Sequence, residues 1–212
     1  MIRSLEPELM DSPEITGPVL DKFHRDLNFV NKCLGTFPTI ERFIKTGDEP
    51  VRRVIDIGCG GGALLEYLRE RMGVEVTGID LKPPDHAKVP VIAADAVTAR
   101  LPEADVAVCS LVAHHLTPEQ NIALIRNVGR SCRRFIIHDL IRHRLPFVLF
   151  TVFLCPLIGR EAAVDGRQSI RRAFTPDEFA ELARTALAGD AGTFTIDVSQ
   201  FLSRQILDIR YH

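Results

Sequence analysis

The residues best placed to do chemistry are a glycine cluster and an acid at the end of a predicted strand. Val54–Ile57 is a run of strand-forming residues that contains Asp56, and Gly58–Gly62 holds four glycines. Glycine leaves no Cβ between the backbone and a ligand, and a turn that opens a helix presents free backbone N–H groups. The pattern therefore predicts a strand, a tight turn and a helix that together bind a nucleotide-type cofactor.

Two further acids follow the next predicted strands. Asp80 stands about 20 residues after Gly58, where a carboxylate can accept hydrogen bonds from ribose hydroxyls. Asp95 follows the third strand, where a carboxylate can accept a hydrogen bond from the exocyclic amine of adenine. Either acid alone could equally be a surface loop carboxylate, so the prediction depends on both acids together with the turn and Asp56.

Histidines follow the fourth and fifth predicted strands. His114 and His115 come just after Ala104–Ser110, and His138 lies beside Asp139 at the end of the fifth strand. Histidine accepts a proton near neutral pH, so His115 or His114 is a candidate general base, and His115 is slightly favoured. The alternative is that one of them packs against the sheet and caps the next helix. The spacing matches no common metal motif, and we predict no metal site.

These residues require an alternating α/β fold to position them. Five predicted strands alternate mostly with helices, and two closing strands have no room for a helix between them, so they should pair antiparallel. The expected fold is a doubly wound, mostly parallel, seven-stranded Rossmann-like sheet with an antiparallel C-terminal strand. We expect a single domain over 1–212, with N-terminal helices in 1–47 and a helical cap insertion in 140–174. The spacing between strands two and three is too short for the usual crossover helix.

Composition excludes several classes of function. The net charge is −2, which does not favour nucleic-acid binding. Five scattered cysteines indicate reduced thiols and a cytoplasmic protein, and the acidic start does not resemble a secretory signal. The longest apolar run, Leu145–Ile158, contains two prolines and is shorter than the roughly 20 residues of a membrane-spanning helix. We interpret it as buried or pocket-lining, with a membrane-surface role as the alternative.

Together these motifs resemble those of class I S-adenosylmethionine-dependent methyltransferases. The resemblance rests on the Asp-x-Gly-x-Gly form within Val54–Gly62, on Asp80, on Ala94–Ala96, and on Asp105–Ser110 followed by His-His-Leu. Within that superfamily the chain is similar to small bacterial methyltransferases of the ubiquinone-biosynthesis-like and type 12 groups. The segment Asp26–Gly35 also resembles the leader of small-molecule methyltransferases encoded beside polyketide synthases.

The resemblance implies S-adenosylmethionine as cofactor and assigns its contacts to residues at the carboxyl ends of the strands. Gly58 and Gly60 would contact the amino-acid part, and Asp56 would support its ammonium group. Ser110 and Leu111 would line the floor under the sulfonium.

The resemblance also assigns contacts on the nucleoside side. Asp80 would hold the ribose, and Leu81 would pack on the adenine ring. Asp95 and Ala96 would bind the adenine edge.

The expected activity is methyl transfer to a small, largely apolar or aromatic acceptor at oxygen or carbon, such as a quinone-like or polyketide-like product of secondary metabolism. Phe29, His138, Arg142 and Phe150 are the candidate substrate-binding residues, although Arg142 could instead form a structural ion pair with Asp139. The expected partner is this small molecule, with no nucleic acid and no stable membrane insertion, and the oligomeric state stays open. The alternatives are an NAD-dependent oxidoreductase and a non-catalytic cofactor-binding protein of the same fold.

Overall fold

The computed structural model describes residues 1–11, 17–47, 49–84, 87–188, 194–201 and 203–212. Seven strands form one sheet. They are β1 (Arg53–Ile57), β2 (Glu75–Asp80), β3 (Val91–Ala93), β4 (Ala104–Ser110), β5 (Cys132–Leu140), β6 (Phe194–Phe201) and β7 (Arg204–Tyr211). Their order is β3-β2-β1-β4-β5-β7-β6, and all the pairs from β3 to β5 are parallel. β7 runs antiparallel to both β5 and β6. The predicted fold class is confirmed.

Seven α-helices accompany the sheet in the described residues. They are α1 (Gly17–Cys33), α2 (Thr36–Lys45), α3 (Ala63–Met72), α4 (Pro118–Gly129), α5 (Arg144–Leu149), α6 (Arg160–Arg172) and α7 (Pro176–Leu187). Within this part of the chain no helix is long and apolar enough to cross a membrane. The described residues between β2 and β3 also contain no helix, as the short spacing predicts.

Local sequence signals explain where α4 and α7 begin. The Thr117 hydroxyl accepts a hydrogen bond from the Gln120 N–H at 3.2 Å, and the Gln120 side chain accepts one from the Thr117 N–H at 2.9 Å. Thr175 and Glu178 form the same reciprocal pair at the start of α7. Each capping box satisfies two backbone donors that would otherwise lack partners, so these helices begin where the sequence predicts.

Helices cover both faces of the sheet. On one face, Leu124 of α4 and Phe179 of α7 pack against β-strand residues such as Phe135. On the other face, Ile40 of α2 and Leu65 of α3 pack in a second core cluster. Because both faces are covered, the central strands are apolar almost throughout, as is typical of buried parallel sheets.

One buried ion pair joins the sheet to α2. The Arg134 guanidinium donates to both carboxylate oxygens of Asp208 at 2.7 Å. It also donates to the backbone carbonyls of Ile44 and Phe43 at 3.2 and 2.9 Å. Arg134 thus fastens the end of α2 to β5 and β7.

The segment 140–174, here called the cap, continues from β5 to the start of α7. It contains α5, a π-helical turn at Phe150–Leu154, a 3₁₀ turn at Cys155–Leu157, and α6. The first described segment, residues 1–11, packs on α6, where the Asp165 carboxylate accepts from the Leu9 and Met10 N–H groups at 2.7 and 2.9 Å. The sequence shows only an acidic start there, whereas the structure holds this segment against the cap.

Candidate active site

The glycine turn follows β1 directly, and its backbone is shaped for close approach. Gly58 has φ +69°, and a Cβ there would lie 2.4 Å from Cγ2 of Val112. The Gly60 N–H donates to the Asp80 carboxylate at 2.8 Å, and a Cβ at Gly60 would meet nothing within 4 Å. Asp80 therefore fixes the turn from β2 while the other side of Gly60 stays open toward a ligand.

Asp56 lies beneath this turn and is buried. Its Oδ1 atom has no hydrogen-bond partner among the described residues. Burial, together with the nearby Asp80 carboxylate, raises the pKa of Asp56 to about 8. A buried carboxylate oxygen without a donor has unmet capacity for a cationic group, so this site fits the ammonium end of an amino-acid cofactor.

The predicted nucleoside contacts differ in how free their side chains are. Leu81 is 70% exposed beside Asp80, so its side chain can cover a flat ring. Asp95 accepts from the Val97 N–H at 2.9 Å and the Thr98 hydroxyl at 3.2 Å, so its carboxylate also closes a local turn. Ala96 is buried and packs in the core. The adenine contacts of Asp95 and Ala96 stay a prediction.

The residues that follow β4 lie between the glycine turn and a cavity. Val112 packs against Gly58, and the preceding residue, Leu111, has φ +60° and lines a cavity. A positive φ is uncommon for a branched residue, and such strained backbone concentrates at functional sites. The Ser110 hydroxyl lies 3.4 Å from Nδ1 of His138, inside the sheet.

That cavity has a volume of about 380 Å³. Most of its walls are apolar and come from α1 and the cap. The apolar residues include Leu27, Val30, Leu34, Leu149, Phe150, Phe153, Leu154, Ile158, Ala162 and Ile170. A Cβ at Gly166 would lie 2.2 Å from Cζ of Phe150, so only glycine leaves room for that ring. A small cavity with apolar walls and a few polar groups is typical of a small-molecule site.

Polar side chains meet at one part of the cavity wall. Glu8, His114 and His115, here called the polar cluster, all line the cavity. Nε2 of His114 lies 3.6 Å from one carboxylate oxygen of Glu8, and Nε2 of His115 lies 3.8 Å from the other. Both predicted histidines therefore reach the cavity.

Asp139 holds His114 in place from the sheet. Its Oδ1 lies 2.6 Å from Nδ1 of His114, and its Oδ2 accepts from the His114 N–H at 2.8 Å. Burial alone would raise the pKa of Asp139, but His114 and the N–H donors hold it below its usual value. Because an ionised carboxylate only accepts, the Asp139 contact places a proton on Nδ1, and Nε2 faces Glu8.

Glu8 is the residue that the sequence did not reveal. The Ser169 hydroxyl donates to its Oε2 at 2.8 Å. Burial raises the pKa of Glu8 to about 7, although His115, Ser169 and Arg172 act in the opposite direction. Nothing in the local pattern separates Glu8 from Glu6, because its role comes from packing against a distant helix.

The polar cluster also has the spacing of metal ligands. Its donor atoms lie within 4.8 Å of one another. However, Nε of Arg172 lies 3.8 Å from Oε1 of Glu8, so a guanidinium already supplies positive charge there. We therefore interpret the cluster as a set of hydrogen-bonding and proton-accepting groups.

Three predicted substrate-binding residues do not line the cavity. Phe29 is exposed on α1. His138 is buried in β5, and burial together with Arg204 lowers its pKa to about 3. The Arg142 guanidinium donates to the carbonyls of Ala173 and Met1 and pairs with Glu178, so it fastens the cap to α7. The acidic partner of Arg142 is therefore Glu178 and not the expected Asp139, and a substrate contact of Arg142 stays a prediction.

A family comparison decides the class. Residues 32–141 match a family described as a methyltransferase domain. The chain belongs to this methyltransferase family. The resemblance found in the glycine turn and its acids is thereby confirmed.

Curated relatives are also named as methyltransferases. The chain is 29% identical over 154 residues to a ubiquinone biosynthesis O-methyltransferase of Cupriavidus pinatubonensis, covering 64% of this chain and 59% of the relative. It is 36% identical over 96 residues to a trans-aconitate 2-methyltransferase of Mycobacterium tuberculosis, covering 42% of this chain and 36% of the relative. The match thus spans less than two thirds of either relative.

Solved structures share the fold. A plantazolicin methyltransferase, crystallised with a triazolic desmethylPZN analog and SAH, has a TM-score of 0.72 at 18% identity, covering 92% of each chain. Human N-acetylserotonin methyltransferase in complex with SAM has a TM-score of 0.57 at 16% identity, covering 93% of this chain and 59% of that one.

Proposed function

We propose that this protein is an S-adenosylmethionine-dependent methyltransferase that methylates a hydroxyl group on a small, largely apolar acceptor. The observation that carries this proposal is the position of Leu111. It follows a strand beside the glycine turn and lines an apolar cavity that also contains the polar cluster. A cofactor site and an acceptor site would then share one wall.

The cofactor site is built from the turn and its acids. Gly60 leaves space for close approach, Gly58 lets the turn pack against Val112, Asp56 would hold the ammonium group, and Asp80 would accept from the ribose hydroxyls. Leu81 would cover the adenine ring. When bound, S-adenosylmethionine supplies a methyl group on an already activated sulfonium.

The remaining task of the protein is to align the acceptor and exclude water. The apolar walls favour an aromatic or hydrocarbon body, since each buried methylene contributes about 0.8 kcal/mol. The polar cluster then receives the end of the acceptor that carries the hydroxyl group.

His114 is the proposed general base. Its Nε2 would take the hydroxyl proton, and the carboxylates of Asp139 and Glu8 would stabilise the resulting imidazolium. The sequence slightly favours His115, but Asp139 orients only His114 among the two rings in the described structure. His115 would instead contact the acceptor beside Glu8.

The test is methyl transfer from tritiated S-adenosylmethionine to phenols with alkyl chains of increasing length. We expect kcat/KM to rise by up to about fourfold per added methylene until the cavity is filled. The product should be a methyl ether by NMR. Matched phenols with a terminal carboxylate serve as controls and should react poorly. A preference for these charged phenols, or exclusive C-methylation, would contradict the proposal.

A further inference from the structure

The outward face of the cap carries an exposed apolar row. Leu145, Val148, Val152 and Leu157, here called the outer stripe, are between 53% and 63% exposed. The first three follow helical spacing, so they share one face of α5 and the π-helical turn. An amphipathic segment that leaves its apolar face in water is typical of an interaction site.

The cavity opens beside this row. Leu149 and Phe153 both line the cavity and are exposed, Phe153 to 65%. Residues that line a cavity and also face the outside form its mouth. The mouth of the cavity thus lies within the same exposed apolar surface as the outer stripe.

Cations surround this surface. Arg144 and Arg160 are exposed at its two ends. The Arg171 guanidinium lies 5.1 Å from the ring centre of Phe147 in α5.

Fewer acids are exposed in the same segment. Within 143–172, Glu161 is exposed, whereas Asp165 is buried and bonded to the Leu9 and Met10 N–H groups. The whole chain has a net charge of −2, so the cap is locally basic on an acidic protein. The positive charge of the cap is therefore complementary to an anionic surface.

We propose that the outer stripe docks on an anionic lipid bilayer, with the basic residues on the headgroups. Exposed apolar side chains flanked by cations are the features of an interfacial helix that lies in the membrane surface. An amphiphilic acceptor would then pass from the bilayer through the mouth at Leu149 and Phe153. Only this passage rests on the proposed function, because docking needs no methyl transfer.

Vesicle flotation tests the docking. The full chain is mixed with vesicles of phosphatidylcholine alone, or of phosphatidylcholine with phosphatidylglycerol, at low and high salt. We expect binding to the anionic vesicles, weakened by salt because the cationic contribution is screened. The variant Leu145→Glu/Val152→Glu/Leu157→Glu should bind at least about tenfold more weakly. The variant Phe194→Glu changes an exposed apolar residue of β6 that lies level with the amino end of β5, whereas the cap begins at the carboxyl end of β5, and it should bind like the wild type.

Two activity measurements separate this proposal from the proposed function. The triple variant should methylate a soluble short-chain phenol at the wild-type rate, because the outer stripe does not line the cavity. It should lose rate on a long-chain phenol embedded in anionic vesicles. If no phenol is methylated by any variant while flotation behaves as expected, the proposed function fails and docking stands.

Other outcomes would overturn the docking. Docking is wrong if the wild type does not bind vesicles, or if the triple variant binds them as tightly as the wild type. It is also wrong if Phe194→Glu weakens vesicle binding as much as the triple substitution does. Light scattering can show a dimer that the triple substitution abolishes. If it does, and the wild type does not bind vesicles, the outer stripe is instead an interface with a second copy of the chain. An unchanged urea unfolding midpoint establishes that each variant is folded.

Discussion

At the scale of single residues, we expect Asp56 to couple cofactor binding to pH. Its pKa of about 8 in the free protein means that it is mostly protonated at neutral pH. A bound ammonium group favours the carboxylate, so binding must release this proton. We expect affinity for S-adenosylhomocysteine to rise by up to about tenfold per pH unit as pH increases toward 8.

Calorimetric titrations in buffers of different ionisation enthalpy measure the released proton directly. Asp56→Asn is the control, because it keeps the shape and removes the titration. Its affinity should be weaker and nearly independent of pH in this range. Wild-type binding that takes up protons, or that does not change with pH, would refute the proposed pairing.

We expect the proposed catalytic role of His114 to depend on its hydrogen bond with Asp139. Asp139→Asn replaces an acceptor with a group that can donate to Nδ1, which favours the wrong tautomer of His114. We expect kcat to fall by about 10² or more with little change in the KM of a phenol acceptor.

The control is a double variant, because the kcat losses of two residues that act together do not multiply. If Asp139 acts through His114, the double variant His114→Gln/Asp139→Asn should be no slower than His114→Gln alone. Unchanged affinity for S-adenosylhomocysteine shows that the site is intact. Multiplying losses in the double variant would mean that the two residues act separately.

At the scale of elements, the glycine turn can be tested against a matched glycine. Gly58 and Gly73 both have φ +69°, but a Cβ at Gly58 would clash with Val112, and a Cβ at Gly73 would meet nothing within 4 Å. Gly73→Ala should lower the free energy of unfolding by about 1 kcal/mol through backbone strain, and Gly58→Ala should lower it further because of the clash. Only Gly58→Ala should also lose cofactor affinity.

Urea unfolding and calorimetric titration with S-adenosylhomocysteine together check this expectation. Gly73 ends α3, well away from the open side of the turn, so Gly73→Ala should bind as the wild type does. Equal affinities in the two variants would show that the turn tolerates a side chain at Gly58 and does not contact the cofactor.

Elements with local signals were predictable from sequence. The turn at Gly58, the strand carrying Asp56 and the capping boxes at Thr117 and Thr175 each depend on neighbours within a few residues. The run 145–158 was less informative, because a continuous apolar sequence does not show which side chains face inward. The structure divides it between the cavity wall, with Phe150, and the outer stripe.

At the scale of the whole molecule, sequence reasoning missed contacts between distant segments. Glu8 meets Ser169, and Arg142 meets Glu178, across separations that no local pattern records. His138 lies in β5 as predicted, yet it is buried, with the charge of Arg204 close enough to lower its pKa. Tertiary packing decides these three positions, so they became clear only in the structure.

The buried pair of Arg134 and Asp208 gives the prediction for global stability. Asp208→Ala leaves the Arg134 guanidinium buried without its counterion, and we expect a loss of about 3 kcal/mol in the free energy of unfolding. The neighbouring Arg133 pairs with Glu49 at an exposed site. Glu49→Ala should therefore change stability by at most about 0.5 kcal/mol. Urea denaturation measures both, and similar losses in the two variants would contradict this account.

The identity of the cofactor is measured most directly by a calorimetric comparison of S-adenosylhomocysteine with NAD as ligands for the full chain. The glycine turn, the unpartnered oxygen of Asp56 and the carboxylate of Asp80 predict micromolar or tighter binding of S-adenosylhomocysteine, weakened in Asp56→Asn. No comparable binding of NAD is expected. Micromolar binding of NAD without binding of S-adenosylhomocysteine would contradict the account and point to an oxidoreductase.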